Sequence, residues 1–263
     1  MKIATWNVNS LNARREHLLR WLDEFQPDVA LLQELKGEDD KFPMMEVNAA
    51  GYQAAVVGQK TYNGVAILSK TPIAVTATRL PNLVETDGED DQARYVEGIV
   101  SSDHGGVRVA SIYLPNGNPA PGPKYDYKLQ WMRRLYAHAR ELLKAEEAFV
   151  LGGDYNVIPE PQDVYGPENW TGDALFLEQS RRALGAIVNL GLTDAFRARN
   201  AEGGRYSWWD YRAGAWEKDQ GCRIDHLLLS PQAADRLGQS GIDRTPRGWE
   251  KPSDHTPVWC TLD

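Results

Sequence analysis

The sequence predicts an α/β sandwich in which helices cover mixed β-sheets, within one domain spanning residues 1–263. Three observations predict it. Short apolar runs of strand length recur along the chain. In some places they alternate with longer helical stripes, and in others they follow one another as hairpins. No linker-like stretch divides the chain, and no period of roughly 20 to 50 residues repeats.

"KIATW" (2–6) reads as a buried strand. Ser10 then offers an N-cap to a helix whose Leu11, Leu18, Leu22 and Phe25 share a face, and Pro27 closes it. "DVALLQE" (28–34) is a strand that ends in polar residues, and "YQAAVVGQKTYNGVAILS" (52–69) is a hairpin with Asn63 and Gly64 near its turn. "RYVEGIV" and "VRVASIYL" are two further strands. A helix follows from Lys124 to Glu146, with Leu129, Met132, Leu135, Leu142 and Leu143 near one stripe. "AFVLGG" is a strand, Leu175 to Leu190 a helix, and "IDHLLLS" and "PVWCTL" are late strands. The acidic "ETDGEDD" (85–91) and the Pro/Gly-rich "PNGNPAPGP" (115–123) read as surface loops.

Of the 263 residues, 42% are hydrophobic and 25% charged, an ordinary globular balance that allows a sizeable core. No run approaches the roughly 18 apolar residues of a membrane span. "MKIATWNVNS" lacks the charged-then-apolar pattern of a signal peptide, and Cys222 and Cys260 are too few for a disulfide framework. Both features predict a reducing, cytoplasmic setting. A formal net charge of −8 argues by itself against nucleic acid. A bound cation and a local basic surface that offset acidic groups at the site would weaken that argument.

Several strand ends carry chemistry. Asn7 and Asn9 stand just past the first strand, Glu34 ends the second, and Asp154 and Asn156 follow "VLGG". Asp225 opens a late strand, while Asp254 and His255 precede the last. Ligand sites in α/β proteins form where strand ends meet loops, so these groups can converge although far apart in sequence. Singly, each has a bland explanation: an Asx-turn, a solvated edge, a turn before proline. Together they form an inventory of carboxylates, amides and one histidine. Oxygen ligands without cysteine clusters suit Mg²⁺ or Mn²⁺, and no HExxH or paired-cysteine motif supports zinc. No P-loop and no GxSxG elbow is present. The remaining chemistry is metal-assisted hydrolysis of a phosphate ester.

The motifs "TWNVNSLNAR", "LLQELK", "IYLPNG", "LGGDYNV", "WWDYR", "RIDHLLLS" and "SDHTPV" occur in this order. They resemble the exonuclease III family of abasic-site DNA endonucleases, within the endonuclease/exonuclease/phosphatase superfamily, and the resemblance covers residues 1 to 262. It implies a four-layered α/β sandwich, two packed mixed sheets flanked by helices. It also implies Mg²⁺- or Mn²⁺-dependent cleavage of DNA 5′ to abasic sites, with 3′→5′ exonuclease and 3′-phosphatase or phosphodiesterase activity on blocked 3′ ends. By resemblance Glu34 is the main metal ligand with Asn7 beside it. Asp154 deprotonates or orients the attacking water, and Asn156 bonds the water or a phosphate oxygen. His255, oriented by Asp225, contacts the scissile phosphate. Asp254 binds metal or fixes the site, and Tyr113 contacts phosphate or assists the leaving group. Asp154, Asn156 and His255 are also counted among the candidate metal ligands. Asn9 stands where some relatives carry Asp. Cys222 stands where relatives often carry a larger apolar residue, a position that would line the sugar pocket.

"RYSWWDYR" (205–212) with Trp216 is dense in aromatics and arginine. One tryptophan there is expected in the core, while Trp209 is assigned to the wall of a pocket for an extruded abasic sugar and Arg212 to backbone phosphate. Basic residues in possible contact loops are Lys60, Arg94, Lys124, Lys128, Arg212, Lys218, Arg223 and Lys251. The expected partner is double-stranded DNA recognised by shape, with no membrane and no need for more than a monomer. Two other readings compete. A phosphoesterase acting on an inositol phosphate or lipid head group is opposed by "WWDYR" and "NSLNARR". A binding module without catalysis would need gaps in the catalytic set, and there are none.

Overall fold

The structure, a computed structural model, describes residues 1–83, 90–102 and 105–263. The loop expected at 85–91 falls largely outside the described residues.

Two six-stranded mixed sheets form the centre. The first runs in the order β11 (Leu237–Ile242), β12 (Val258–Leu262), β1 (Lys2–Asn7), β2 (Val29–Gln33), β4 (Val65–Ser69), β3 (Gln53–Val57). The second runs β5 (Ile73–Ala77), β6 (Tyr95–Ser102), β7 (Gly105–Tyr113), β8 (Phe149–Asp154), β10 (Asp225–Leu229), β9 (Thr193–Asp194). Only β1 with β2 and β7 with β8 pair in parallel, and the other pairs are antiparallel. The longer helices are α1 (Leu11–Phe25), α3 (Pro123–Leu143) and α4 (Glu178–Val188), with short helices α2 (Met44–Ala49), α5 (Ala195–Arg199) and α6 (Pro231–Ala234).

Alternation along each strand builds the layers, because successive side chains face opposite sides of a sheet. Ile3, Leu31 and Ile67 of the first sheet meet Val109, Val150 and Leu227 of the second in a dry core. Trp6, Leu32 and Leu68 face outward and are covered by Leu18, Trp21 and Leu22 of α1. On the far side Ile112, Leu151 and Leu228 are covered by Trp131 and Leu135 of α3 and Leu184 and Ile187 of α4. Both sheets are buried on two faces, which explains why β2, β4 and β10 read as unbroken apolar runs. The result is the four-layered sandwich that the resemblance implied.

Three local findings add to the sequence reading. Ser10 does not cap α1 with its hydroxyl. Its φ of 82° turns the chain so that the Ser10 and Leu11 amides donate to the Glu34 and Leu35 carbonyls, tying the end of β1 to the end of β2. The glycines of "VLGG" make no turn and lie within β8. A Cβ on Gly152 would stand 2.6 Å from both Leu31 and Leu227 side chains, and one on Gly153 would stand 1.9 Å from the Ile112 carbonyl oxygen. Close approach of neighbours therefore demands glycine here, and the bend comes later, at Asn156 with φ 48°. Third, β5 and β11 carry no clear strand pattern, because β5 is a largely exposed edge and β11 contains two glycines.

Candidate active site

Pairing register brings the chemistry together. Asp154 at the end of β8 lies opposite Tyr113 at the end of β7 and Asp225 at the start of β10. Asn7 ends β1, Glu34 follows β2, and His255 precedes β12, which pairs with β1. Because the two sheets pack face to face, these ends form one edge of the sandwich. A buried polar link near this edge joins the sheets: Gln33 Nε2 donates to Ser111 Oγ at 2.9 Å, and Ser111 Oγ donates to the Leu32 carbonyl at 2.8 Å.

The Asn7 amide nitrogen donates to Glu34 Oε1 at 2.8 Å and to Asp154 Oδ2 at 2.9 Å, so one side chain bridges both carboxylates. Tyr113 donates its hydroxyl to Glu34 Oε1 at 2.9 Å. Lys36 Nζ sits 2.8 Å from Glu34 Oε2 and donates to Asn9 Oδ1 at 2.6 Å. His255 turns Nδ1 to Asp225, 2.9 Å from Oδ2, and presents Nε2 at 3.7 Å from Asp154 Oδ2. Ser207 Oγ donates to Asp225 Oδ2 at 2.6 Å, which fixes the aspartate in turn.

Burial and mutual charge set the electrostatics. Burial pushes the Asp154 carboxyl up, Asp225 and Glu34 add to that, and His255 only partly opposes it. Burial would also raise Glu34, but Lys36 and the Asn7 amide outweigh it and hold that carboxyl below its ordinary value. For His255, burial favours the neutral ring, yet Asp225 and Asp154 prevail and raise its pKa. His255 is thus held as an imidazolium, with its Nε2–H available as a donor.

Among the described residues, the one group of three metal-ligating side chains is Glu34, Asp154 and His255, whose ligand atoms lie within 4.8 Å of one another. The two carboxylates fit a hard, oxygen-seeking cation, which would relieve the crowding that pushes Asp154 up. With Nδ1 turned to Asp225, His255 presents only Nε2 to this group.

The other assigned residues are placed as follows. Asp254 stands outside the metal group, because Asn9 Nδ2 donates to its Oδ1 at 2.8 Å and Trp208 Nε1 to its Oδ2 at 3.0 Å. Asn9 is thereby a link between Lys36 and Asp254. The Asn156 carbonyl oxygen, which a metal would need, accepts from Asn116 Nδ2 at 3.1 Å, while its amide nitrogen donates to the Leu114 carbonyl at 2.9 Å. Trp209 is fully buried, donates to Asp219 at 3.0 Å and packs edge-on against Trp216. Its neighbour Trp208 is the partly exposed one, bridged by backbone to His255 and Cys222 and edge-on to Trp170. Arg212 is exposed and folds back on Asp210, 2.7 Å away. Cys222 is fully buried beneath Trp208 and Ile158, so its thiol lines no open pocket. Of the basic set, Lys128 and Arg223 are buried, and Arg223 is locked between Asp163 and Asp194. The sequence reading missed Lys36, Asn116, Ser207 and Trp208. "LPNG" carried the signal for Asn116, one turn beyond Tyr113. For the tryptophans, isolated bridges from Trp208 to Cys222 and His255 set which of the two faces the site.

A cleft of about 660 Å³ opens beside the cluster, lined in part by Glu34, Lys36, Arg94, Tyr113, Asn116 and Lys124. Arg94 stacks 4.7 Å from the Tyr113 ring centre and donates to its carbonyl. A buried and a half-buried carboxylate, a histidine paired with Asp225 and convergent amides, beside a cleft lined by Lys36, Arg94 and Lys124 as well as Asp91, are equipment for hydrolysing a phosphodiester.

Comparison with known proteins places the chain. The family model described as Endonuclease/Exonuclease/phosphatase family matches residues 4–255. The chain is 34% identical to Exodeoxyribonuclease III of Haemophilus influenzae over 271 residues, covering 99% of each. It superposes on an AP endonuclease from Archaeoglobus fulgidus with a TM-score of 0.91 at 35% identity, covering 100% of this chain and 99% of that one. With the 3′ phosphatase NExo from Neisseria, solved bound to a product DNA hairpin, the TM-score is 0.93 at 38% identity, covering 100% and 99%. The chain belongs to the endonuclease/exonuclease/phosphatase family, on its exonuclease III and AP endonuclease branch, and is a hydrolase of the nuclease class.

Proposed function

We propose that this chain is a Mg²⁺- or Mn²⁺-dependent DNA-repair phosphodiesterase that cuts double-stranded DNA 5′ to abasic sites. On the same reading it trims 3′ ends as an exonuclease and removes 3′ blocks. It works as a single catalytic domain, a cytoplasmic monomer. The observation that carries the chemistry is the His255–Asp225 pair aimed at the Glu34–Asp154 carboxylates. The substrate is suggested by relatives whose names specify exodeoxyribonuclease, AP endonuclease and 3′ phosphatase.

Glu34 and Asp154 would hold the cation, which when bound supplies Lewis-acid polarisation of a phosphoryl oxygen. The residues do the rest. Asp154 accepts a proton from the attacking water, whose oxygen bonds phosphorus as the P–O3′ bond breaks. His255 directs Nε2–H at a non-bridging oxygen as its charge grows, and Asp225 keeps the ring charged and oriented. Asn116 and Asn156 each retain a second amide N–H for a phosphate oxygen. Tyr113 keeps Glu34 in place through its hydroxyl, and the departing O3′ takes its proton from solvent. Lys36, Arg94 and Lys124, against Glu34 and Asp91, give the cleft a local positive excess in a chain of net charge −8, and local potential governs phosphate binding.

The test is a duplex carrying one abasic analogue, incubated with Mg²⁺ or with chelator, its products sized. Incision 5′ to the analogue only with metal is expected. Asp154→Asn should fold normally by circular dichroism and lose about 10² to 10⁴ in rate. Near-normal turnover would remove the assignment.

A further inference from the structure

Two loops meet at the mouth of the site, one after β7 carrying Asn116 and one after β8 carrying Asn156. Beneath both lies Lys128 of α3, with no exposed surface. Its Nζ donates to the Asn156 carbonyl at 2.6 Å and to the Asn116 carbonyl at 3.0 Å. Among the described residues it forms no ion pair within 4 Å. Burying a lysine without a paired carboxylate is costly, and the neighbouring core positions of α3 are Trp131, Met132 and Leu135. An apolar residue at 128 would pack as well, but it would leave the buried Asn156 carbonyl and the partly buried Asn116 carbonyl without this donor. Gly117 completes the arrangement. Its φ is +89°, and a Cβ there would stand 2.6 Å from Lys128 Cδ and 3.2 Å from Ala174 Cβ. The lysine stem fills the space directly under the loop.

We propose that Lys128 is a positioning residue that pins the Asn116 and Asn156 backbones together and so fixes the amide pair that holds a phosphate oxygen beside Asp154 and His255. The proposal rests on the phosphodiesterase reading of the site. The two amides are already joined, Asn116 Nδ2 to Asn156 Oδ1, so a shift in either backbone moves both. Burial draws the lysine pKa down to about 7 against the pull of Asp154 and Asp173. A neutral amine still has two N–H bonds for two carbonyls, so the pin holds in either state.

The experiment compares Lys128→Met and Lys128→Arg, each alone and with Asn156→Ala, on the abasic-analogue duplex at saturating Mg²⁺. Lys128→Met should lower kcat about tenfold or more with KM changed by less than about threefold, and Lys128→Arg should restore most of the loss. In the Asn156→Ala background Lys128→Met should cost less than about twofold, because the two act through one group. The side-chain amide ¹H–¹⁵N signals of Asn116 and Asn156 should move in the Met variant and return in the Arg variant. Multiplicative losses in the double variant, an unchanged kcat, or unmoved amide signals would overturn the proposal. Should the Met variant fail to fold, Lys128→Gln must show the same kcat loss and the same non-additivity, or the proposal falls. If the wild type itself does not incise, the functional reading fails, and the amide signals still judge the pin.

Discussion

Single side chains at this site act through partners that other segments supply. Asp154 illustrates it: its carboxyl is pushed up by burial and by Asp225 and Glu34. A carboxyl raised on folding disfavours its ionised form in the native state, so stability falls as pH rises through that raised pKa. Chelator-treated Asp154→Asn should therefore melt above the wild type at pH 8 in a thermal scan, even though it is inactive. A lower melting temperature would mean that the His255 charge depends on Asp154 more than burial penalises the carboxylate. The adjacent tryptophans give a second contrast. Trp209→Ala removes a fully buried ring and should cost about 3–5 kcal/mol in denaturant unfolding. Trp208→Ala should leave most of the stability and weaken incision of abasic duplex. The reverse pattern would restore Trp209 to the site.

Elements are joined by polar clusters as well as by apolar layers. Glu97 of β6 is almost wholly buried, yet it accepts from Tyr95 at 2.6 Å, Thr76 of β5 at 2.6 Å and Arg108 of β7 at 2.7 Å, and meets His138 of α3 at 2.7 Å. Burial would raise its carboxyl, but the bonds from His138, Thr76 and Tyr95 hold it at about 2. A depressed carboxyl stabilises the fold above its unfolded pKa near 4.5 and loses that contribution as pH falls toward 2. The drop amounts to about 3 kcal/mol by linkage. Glu97→Gln should be less stable at neutral pH and show a flatter acid limb between about pH 4.5 and 2 in urea titrations. An acid limb identical to the wild type would show that other carboxylates control it.

For the whole molecule, one edge of the sandwich gathers Glu34, Asp154 and Asp225 around the two cations Lys36 and His255. Mg²⁺ or Mn²⁺ should raise the melting temperature in proportion to site occupancy. Glu34→Gln should abolish most of that rise, and a rise of equal size in the variant would place the ion elsewhere. Binding to abasic duplex should weaken steeply with salt, with a log–log slope that reports the phosphates contacted. Lys128 and Arg223 are buried and contribute nothing to that slope, which falls to the exposed cations.

The alternation of apolar runs and the helical stripes already contained the layers, because burial on two faces leaves a direct imprint on local pattern. Ordered motifs at strand ends likewise marked Asn7, Glu34, Asp154, Asp225 and His255, which meet at one edge of the sandwich, since polar groups gather where backbone pairing stops. Contacts between distant segments left no such imprint. That Trp208 and not Trp209 faces the site depends on a bridge to residue 255. That Asp254 holds Trp208 and Asn9, and that Lys128 lies under two loops, depends on how the sheets stack and on where α3 crosses them. Local periodicity and residue chemistry were enough to fix which groups are present and which strands carry them. Only the packing of one sheet on the other decided which of those groups touch, because hydrogen bonds act over about 3 Å and no residue spacing encodes such a distance across more than a hundred positions.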